Sequence, residues 1–487
     1  MNKRIFGREK EIAILEDIWA SKEPELVAIY GRRRVGKTFL IREFFSNKGI
    51  YCEIVGLKDG SLKEQLENFS EGFSKTFYKG MSLKTPANWR EALNLLTKEI
   101  EGVPHNKKVV LFLDELPWMA TPRSGLLQNL DYFWNTKWSR LSNLKIVVCG
   151  SAASWILEHL INAKGGLHNR ITKTLLLEPF SLYETKMFLK NRSINLNDRQ
   201  ILDIYMSMGG IPHYLKQVRK SMSAAQNINE ICFHKDGLLY DEFPRIFKSL
   251  FDESEIYLSI IRAISKNQQG VDRNSLLKQV GTHSGGRFNK RLEELESAGF
   301  IQCFIPYGKK VKDQYYRIID EYTLFYLTWI EPFKHSRLRG KSSVYWNNKI
   351  NSGSWLNWAG IAFESICYKH IEQIRKALKL NEIGCEIGSW RYVPRKGIKE
   401  RGAQIDLLFD RDDNVVSICE IKYCQNEFVI DKAYAENLIN KLNAFEKHSQ
   451  KNKQIMLHMI TTFGTKKNMW SKDLIHMDIS LSDIISF

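Results

Sequence analysis

Over the first 180 positions, short unbroken apolar runs alternate with longer stretches whose apolar positions recur every three or four residues. ELVAIYG (25–31), KVVLFLDE (108–115) and KIVVCGS (145–151) are of the first kind. A strand covered on both faces of a parallel sheet needs such a run, because neither face meets water. FLIREFF, LLTKEIEG and LLQNLDYFWNTKW carry the helical period. The alternation predicts an α/β core over 1–180. From 181 to 250 the strand signal disappears and helices are expected. Residues 251–320 read as three helices followed by two β-rich runs around PYGKK. The aromatic segment EYTLFYLTWIEPF and the basic stretch KHSRLRGKSSVYWNNK are read as a linker over 321–349, and 350–487 as a separate α/β domain.

A chain of 487 residues has the length of about three domains. With 43% hydrophobic and 26% charged residues it is globular, which excludes disordered and fibrous classes. The net charge of +17 points to a polyanionic partner, nucleic acid ahead of an acidic membrane surface, or else serves solubility alone. No apolar stretch approaches the roughly 18 residues of a membrane helix, so no membrane role is expected. The start reaches charge again at Arg8 before a signal core could form. The eight cysteines are scattered without metal-ligand spacing, as reduced thiols in a cytoplasmic protein are.

Candidate chemistry begins at Gly31-Arg32-Arg33-Arg34-Val35-Gly36-Lys37-Thr38, which fits G-x-x-x-x-G-K-[ST] between an expected strand and an expected helix opening at Phe39. Glycines let backbone amides close around phosphate oxygens, and the helix N-terminus adds positive potential. Lys37 would reach the β- and γ-phosphates of ATP, and Thr38 would offer its hydroxyl to Mg²⁺. The strand ending at Asp114-Glu115 carries two carboxylates that are costly to bury unless they face a cation or water. Asp114 would hold Mg²⁺ and Glu115 would act as general base; a plain helix cap is the alternative. Ser151, at the end of the third strand, could sense the γ-phosphate or place the water. Arg170 reads either as an arginine finger toward a neighbouring subunit, which implies a homo-oligomer, or as a surface arginine.

FGREKEI, GRRRVGKT, VVLFLDE, CGSAASW, LEPFSLYE and GGIPHYL, in this order, resemble the prokaryotic archaeal-type AAA-like ATPases, which are related to the STAND and AAA+ branches of P-loop proteins. The resemblance implies a nucleotide-binding core, a helical lid (181–250), a winged helix (251–320) and a C-terminal nuclease-like domain. It also implies that Phe6-Gly7-Arg8-Glu9 lies near the adenine, which adds Arg8 to the nucleotide-binding set. GGIPHYL would lie in the lid, where His213 and Lys216 are the nearest basic candidates.

In the winged-helix segment Arg287, Lys290 and Arg291 open the third helix, where base contacts are made in helix-turn-helix proteins. Lys309, Lys310 and Lys312 could touch phosphates from the wing. Glu293, Glu294 and Glu296 on the same helix would repel a nucleic-acid backbone, and winged helices also serve as protein-contact modules. The segment is nearly balanced, with 11 basic and 9 acidic residues.

The last domain carries a second constellation. Ala403–Phe409 reads as a strand, 410–414 as a turn and Val415–Tyr423 as the return strand. Strand alternation sets Glu420 and Lys422 on one face, and the hairpin brings Asp406 near the same end. Two carboxylates and a lysine there would bind Mg²⁺ and orient a water toward a phosphodiester. Asp, about a dozen residues, then Glu-x-Lys resembles the PD-(D/E)XK nuclease superfamily, with Ile405 where proline often stands. The amphipathic helix WLNWAGIAFESICYKHIEQI places Glu364 as a further metal ligand, and Gln404 shares the face of Asp406. Residues 331–402 hold 14 basic and 6 acidic side chains. Arg391, Arg395, Lys396, Lys399 and Arg401, interleaved with Trp390 and Tyr392, could track a nucleic-acid backbone. The whole reads as an ATPase coupled to a Mg²⁺-dependent, DNA-acting, restriction-endonuclease-like domain. The alternative is a regulatory or DNA-binding ATPase whose last domain only binds DNA or a protein partner.

Overall fold

The computed structural model describes residues 5–162, 166–267, 270–282, 285–310, 313–336, 345–350, 352–394, 400–449 and 453–486. Two compact units divide the chain, one built mainly from residues 1–179 and the other mainly from 180–487.

The first unit is an α/β layer structure. Its sheet contains β1 (Glu25–Tyr30), β2 (Ile50–Val55), β3 (Val109–Asp114), β4 (Leu144–Cys149) and β5 (Lys173–Leu176) in the order β2-β3-β4-β1-β5. Every pairing is parallel. The three continuous apolar runs are its three inner strands, and every residue of β3 and β4 is buried. The two edge strands escape the sequence pattern. In β2 polar Glu53 interrupts the run, and three of the four residues of β5 are exposed. Leu66, Phe69, Trp89, Leu96 and Phe133 cover the sheet from surrounding helices.

The second unit opens with helices, Leu182–Asn191 and Asp198–Met208 among them, and each of these two starts with a capping box. Three further helices, Ser254–Ser265, Arg273–Val280 and Gly286–Ser297, accompany a small antiparallel sheet. Its strands are β6 (Val271–Asp272), β7 (Ile301–Phe304) and β8 (Tyr315–Ile318), in the order β6-β8-β7.

The expected linker proves different. Residues 321–335 are helical, and Tyr322, Phe325, Trp329 and Phe333 are buried. Trp346, inside the stretch read as basic and polar, is fully buried and stacks on Phe233 at 5.3 Å. Aromatic residues at helical spacing bury too much apolar area to remain in a solvated connector. The basic residues Arg337, Arg339 and Lys341 of that stretch lie outside the described residues, as do Lys312, Arg395, Lys396 and Lys399.

The last sheet is mixed. It contains β9 (Cys385–Tyr392), β10 (Ala403–Arg411), β11 (Val415–Lys422), β12 (Gln454–Thr461) and β13 (Met477–Ser480), ordered β13-β12-β11-β10-β9. β9, β10 and β11 pair antiparallel, whereas β11, β12 and β13 pair parallel. The helix Lys432–His448 supplies the β11–β12 crossover and packs Ala435, Leu438 and Phe445 into the core. The amphipathic segment before the sheet is two helices, Gly353–Lys369 and Ile371–Ala377, joined at His370. Among the described residues no helix is long and apolar enough to cross a membrane. All eight cysteines are free thiols.

Candidate nucleotide and carboxylate sites

The loop after β1 turns on glycine. Gly31 has φ 134°, and a Cβ there would sit 2.4 Å from the carbonyl oxygen of Leu177. Gly36, at φ 98°, precedes the helix Lys37–Phe45, which has no side-chain cap at its first turn. Its amides are therefore directed to the loop, where an anion is favoured. Lys37 is buried and donates to the carbonyls of Gly31 (2.8 Å) and Arg32 (2.9 Å). Burial depresses its pKa, opposed by Cys149, Glu115 and Asp114. An ammonium held by carbonyl oxygens in a desolvated loop is well placed to exchange them for phosphate oxygens.

Thr38 donates from Oγ1 to Asp114 at 2.9 Å. Burial raises the Asp114 carboxyl, the Thr38 hydroxyl opposes that, and Glu115 adds to it. Glu115 is half-buried in the left-handed region at φ 52°, which turns its carboxylate back toward β4. Its Oε2 accepts from the Ser151 amide (3.0 Å) and the Ser151 hydroxyl (2.9 Å). Ser151 thus contacts the glutamate itself. The Cys149 thiol beside Asp114 is a participant the sequence reading passed over; burial pushes it well above the usual thiol range. Its only signal was its place at the end of an apolar strand.

Arg8 is buried at φ 68° and donates to the carbonyl of Val35 at 3.3 Å, while pairing with Glu11 at 3.3 Å. This ties the N-terminal segment to the glycine loop. Arg32 and Val35 are buried, Arg33 and Arg34 half-buried, and Phe39 exposed. Arg170 is exposed in the short helix Gly166–Arg170. His213 and Lys216 are exposed in the second unit.

The carboxylate site lies on β10 and β11. Leu407 pairs with Cys419, so Asp406 and Glu420 follow on adjacent strands. An irregularity between Ile405 and Leu408 in the pairing to β9 lies at Asp406, a device that re-aims a side chain. Asp406 is 5% exposed and Glu420 2%. Asp406 accepts from the Ile421 amide at 3.2 Å, and its backbone oxygen accepts from the Tyr368 hydroxyl at 2.5 Å. Glu420 accepts from the Tyr434 hydroxyl (2.7 Å) and from Lys441 (2.6 Å), and Lys422 lies 3.1 Å from its other oxygen.

Electrostatics separates the three carboxyls. Burial, then Asp406, pushes Glu364 up to about 8. Burial, then Glu420, pushes Asp406 up to about 6. Burial would raise Glu420 too, but Lys441 and Lys422 outweigh it and hold that carboxyl below its usual range. Of the three carboxyls, Glu420, between two lysines, is the one whose charged form is most favoured. Tyr434 and Lys441, both on the crossover helix, were not anticipated; nothing in their spacing from Glu420 marks them. Among the described residues no group of three or more His, Cys, Asp or Glu is placed to hold a metal ion. Lysine ammonium groups lie on both oxygens of Glu420.

The base contacts expected of the third helix are only partly accessible. Arg287 and Lys290 are exposed, but Arg291 forms an ion pair with Glu253.

Comparison with known proteins agrees with the first site. An uncharacterized protein of Methanocaldococcus jannaschii is 24% identical over 429 residues, spanning 85% of this chain and 87% of its own. An uncharacterized ATP-binding protein of the same organism is 49% identical over 44 residues, 9% of this chain and 75% of its own. The Walker-type ATPase of Pyrococcus abyssi aligns in structure with a TM-score of 0.49 and 21% identity, covering 67% of this chain and 97% of that one. Residues 5–218 match the model of a family described as an ATPase domain predominantly from Archaea.

Proposed function

We propose that this chain hydrolyses ATP at the Gly31–Thr38 loop and acts on nucleic acid through its C-terminal domain. One arrangement carries the first half of this reading: Lys37 on loop carbonyls, Thr38 on Asp114, and Glu115 on Ser151, all at the ends of β1, β3 and β4. On nucleotide binding, Lys37 gives up the Gly31 and Arg32 carbonyls for β- and γ-phosphate oxygens. Glu115 accepts a proton from the attacking water, with Ser151 positioning its carboxylate. The oxygens of Thr38 and Asp114 suit a hard cation, and these residues would hold Mg²⁺. That ion, when bound, neutralises phosphate charge. Arg170, exposed, is available to the nucleotide of a second copy.

The order of the C-terminal elements supports the nuclease-like half: helix Gly353–Lys369, the β9-β10-β11 antiparallel set, the crossover helix and the parallel β12. Asp406, Glu420 and Lys422 share one end of the hairpin. The three helices and small sheet of 254–318 support a winged helix over 251–320, and the helices after Ser181 support a lid over 181–250. A second reading, a C-terminal domain that binds DNA or a protein without cutting, is favoured by the two lysines on Glu420.

Incubating the protein with supercoiled plasmid, ATP and Mg²⁺ separates the two readings. Nicking that disappears in Glu420→Ala establishes cleavage, and intact plasmid favours the binding-only reading. ATP turnover that persists undiminished in Lys37→Ala would defeat the ATPase assignment of the loop.

A further inference from the structure

The segment between β7 and β8 is expected to project as a wing, with Lys309, Lys310 and Lys312 free to touch phosphates. Two contacts instead fasten it to the C-terminal sheet. Tyr307, 6% exposed, donates its amide to the Ser389 carbonyl at 2.8 Å and its hydroxyl to Asp410 at 2.6 Å. The guanidinium of Arg317, on β8, lies 3.5 Å from the ring centre of Tyr368. Tyr368 in turn donates to the backbone of Asp406. The small sheet is thereby one wall of a cleft whose other wall is β9 and β10.

This cleft has a volume of about 780 Å³. The aromatic residues Phe304, Tyr315 and Tyr392 line it, Lys309 and Arg391 supply positive charge, and Glu364 lines it too. Tyr392 is held rigid, its ring stacked 3.8 Å from His448 and its hydroxyl donating to Glu400. Asp313, the acidic residue at the rim, accepts from the Lys310 amide at 3.2 Å. Aromatic faces beside cations suit a chain that alternates exposed base faces with phosphates. In a duplex the base faces are already stacked on one another, so a duplex would offer this cleft phosphates alone.

We infer that the cleft between β7–β8 and β9–β10 holds a single-stranded polynucleotide, with phosphates at Lys309 and Arg391 and unpaired bases on Tyr315 and Tyr392, leading toward Glu364 and Asp406. This rests on the reading that the C-terminal domain acts on nucleic acid, but not on its cutting.

The test is fluorescence anisotropy of the full-length protein in EDTA, where metal-dependent cleavage is silent. The probes are labelled oligothymidylate, oligouridylate of the same length, and a DNA duplex of that length. The single strand should bind at least about tenfold more tightly than the duplex. Arg391→Ala, at an exposed position, and Tyr315→Ala should each weaken single-strand binding about fivefold or more, with thermal unfolding unchanged in Arg391→Ala. The tighter of the two oligonucleotides identifies DNA or RNA as the source of the strand. Equal affinity for strand and duplex, no binding of either strand, or unaltered binding in both variants would overturn the inference. Tight strand binding together with intact plasmid in the cleavage assay would remove only the nuclease reading and leave the cleft standing.

Discussion

The two polar sites hold their acidic groups by opposite means. At the end of β3, Asp114 and Glu115 are held by hydroxyl and amide donors, Thr38 and Ser151, and the nearby Lys37 is engaged by carbonyl oxygens. On β11, Glu420 is held by two lysines and a tyrosine. Neutral partners leave a carboxylate its full charge and can be released cheaply when a ligand arrives, since each such hydrogen bond contributes only about 1 kcal/mol. Charged partners cancel the carboxylate and are costly to separate in a buried place. The first site is thus prepared for a ligand that brings its own charge, whereas the second is closed upon itself until something displaces a lysine.

The largest expected effect tests the first site. Lys37→Ala should reduce ATP turnover by about 10²-fold or more, because it removes a preorganised donor from the developing phosphate charge. Radioactive or coupled ATPase assays read this directly. Next, Lys441→Met should destabilise the second unit by about 2 kcal/mol, the contribution of a hydrogen bond to a charged group, as measured by urea denaturation. The matching change at the first site, Thr38→Val, should cost less in stability. Equal costs would erase the distinction between neutral and charged partners.

A third effect sharpens the comparison through pH. His370 is fully buried between the helices Gly353–Lys369 and Ile371–Ala377. It accepts from the Leu182 amide at Nε2 (2.9 Å) and donates from Nδ1 to the Ile366 carbonyl (2.8 Å), so it is neutral. Burial lowers its pKa from 6.5 to about 4. The unfolded chain therefore binds more protons between those values, and stability falls as pH drops from about 6.5 to about 4. His370→Gln should flatten that part of the profile at a cost of about 1 kcal/mol at neutral pH, read by thermal unfolding across the range. The smallest effect is Ser151→Ala, which removes one donor to Glu115. It should lower kcat roughly fivefold with KM for ATP little changed.

Much of the first site is legible in the sequence because its parts are local or terminate recognisable strands. Lys37 and Thr38 lie within one eight-residue loop, and Asp114 and Ser151 close apolar runs. β2 and β5 are not legible in this way, since an edge strand meets water and loses the continuous apolar run. Asp406, Glu420 and Lys422 are legible through strand alternation and hairpin spacing. Lys441, by contrast, reaches Glu420 from a crossover helix distant in sequence, a meeting that depends on how that helix packs its Leu438 and Phe445 face. The misread 321–349 stretch has a similar cause. Its aromatics were visible, but the groove that receives Trp346 was not.

By itself, then, the sequence determined the nucleotide loop, the strands that present Asp114 and Glu115, and the hairpin that joins Asp406 to Glu420. Those features follow from periodicity and from conformations only particular residues adopt. The tertiary structure alone decided that Glu420 lies between Lys422 and Lys441, that Tyr307 binds the β7–β8 turn to Asp410, and that a cleft opens beside Glu364. Each depends on contacts between residues far apart in the chain, where packing and desolvation, not local pattern, select the partner.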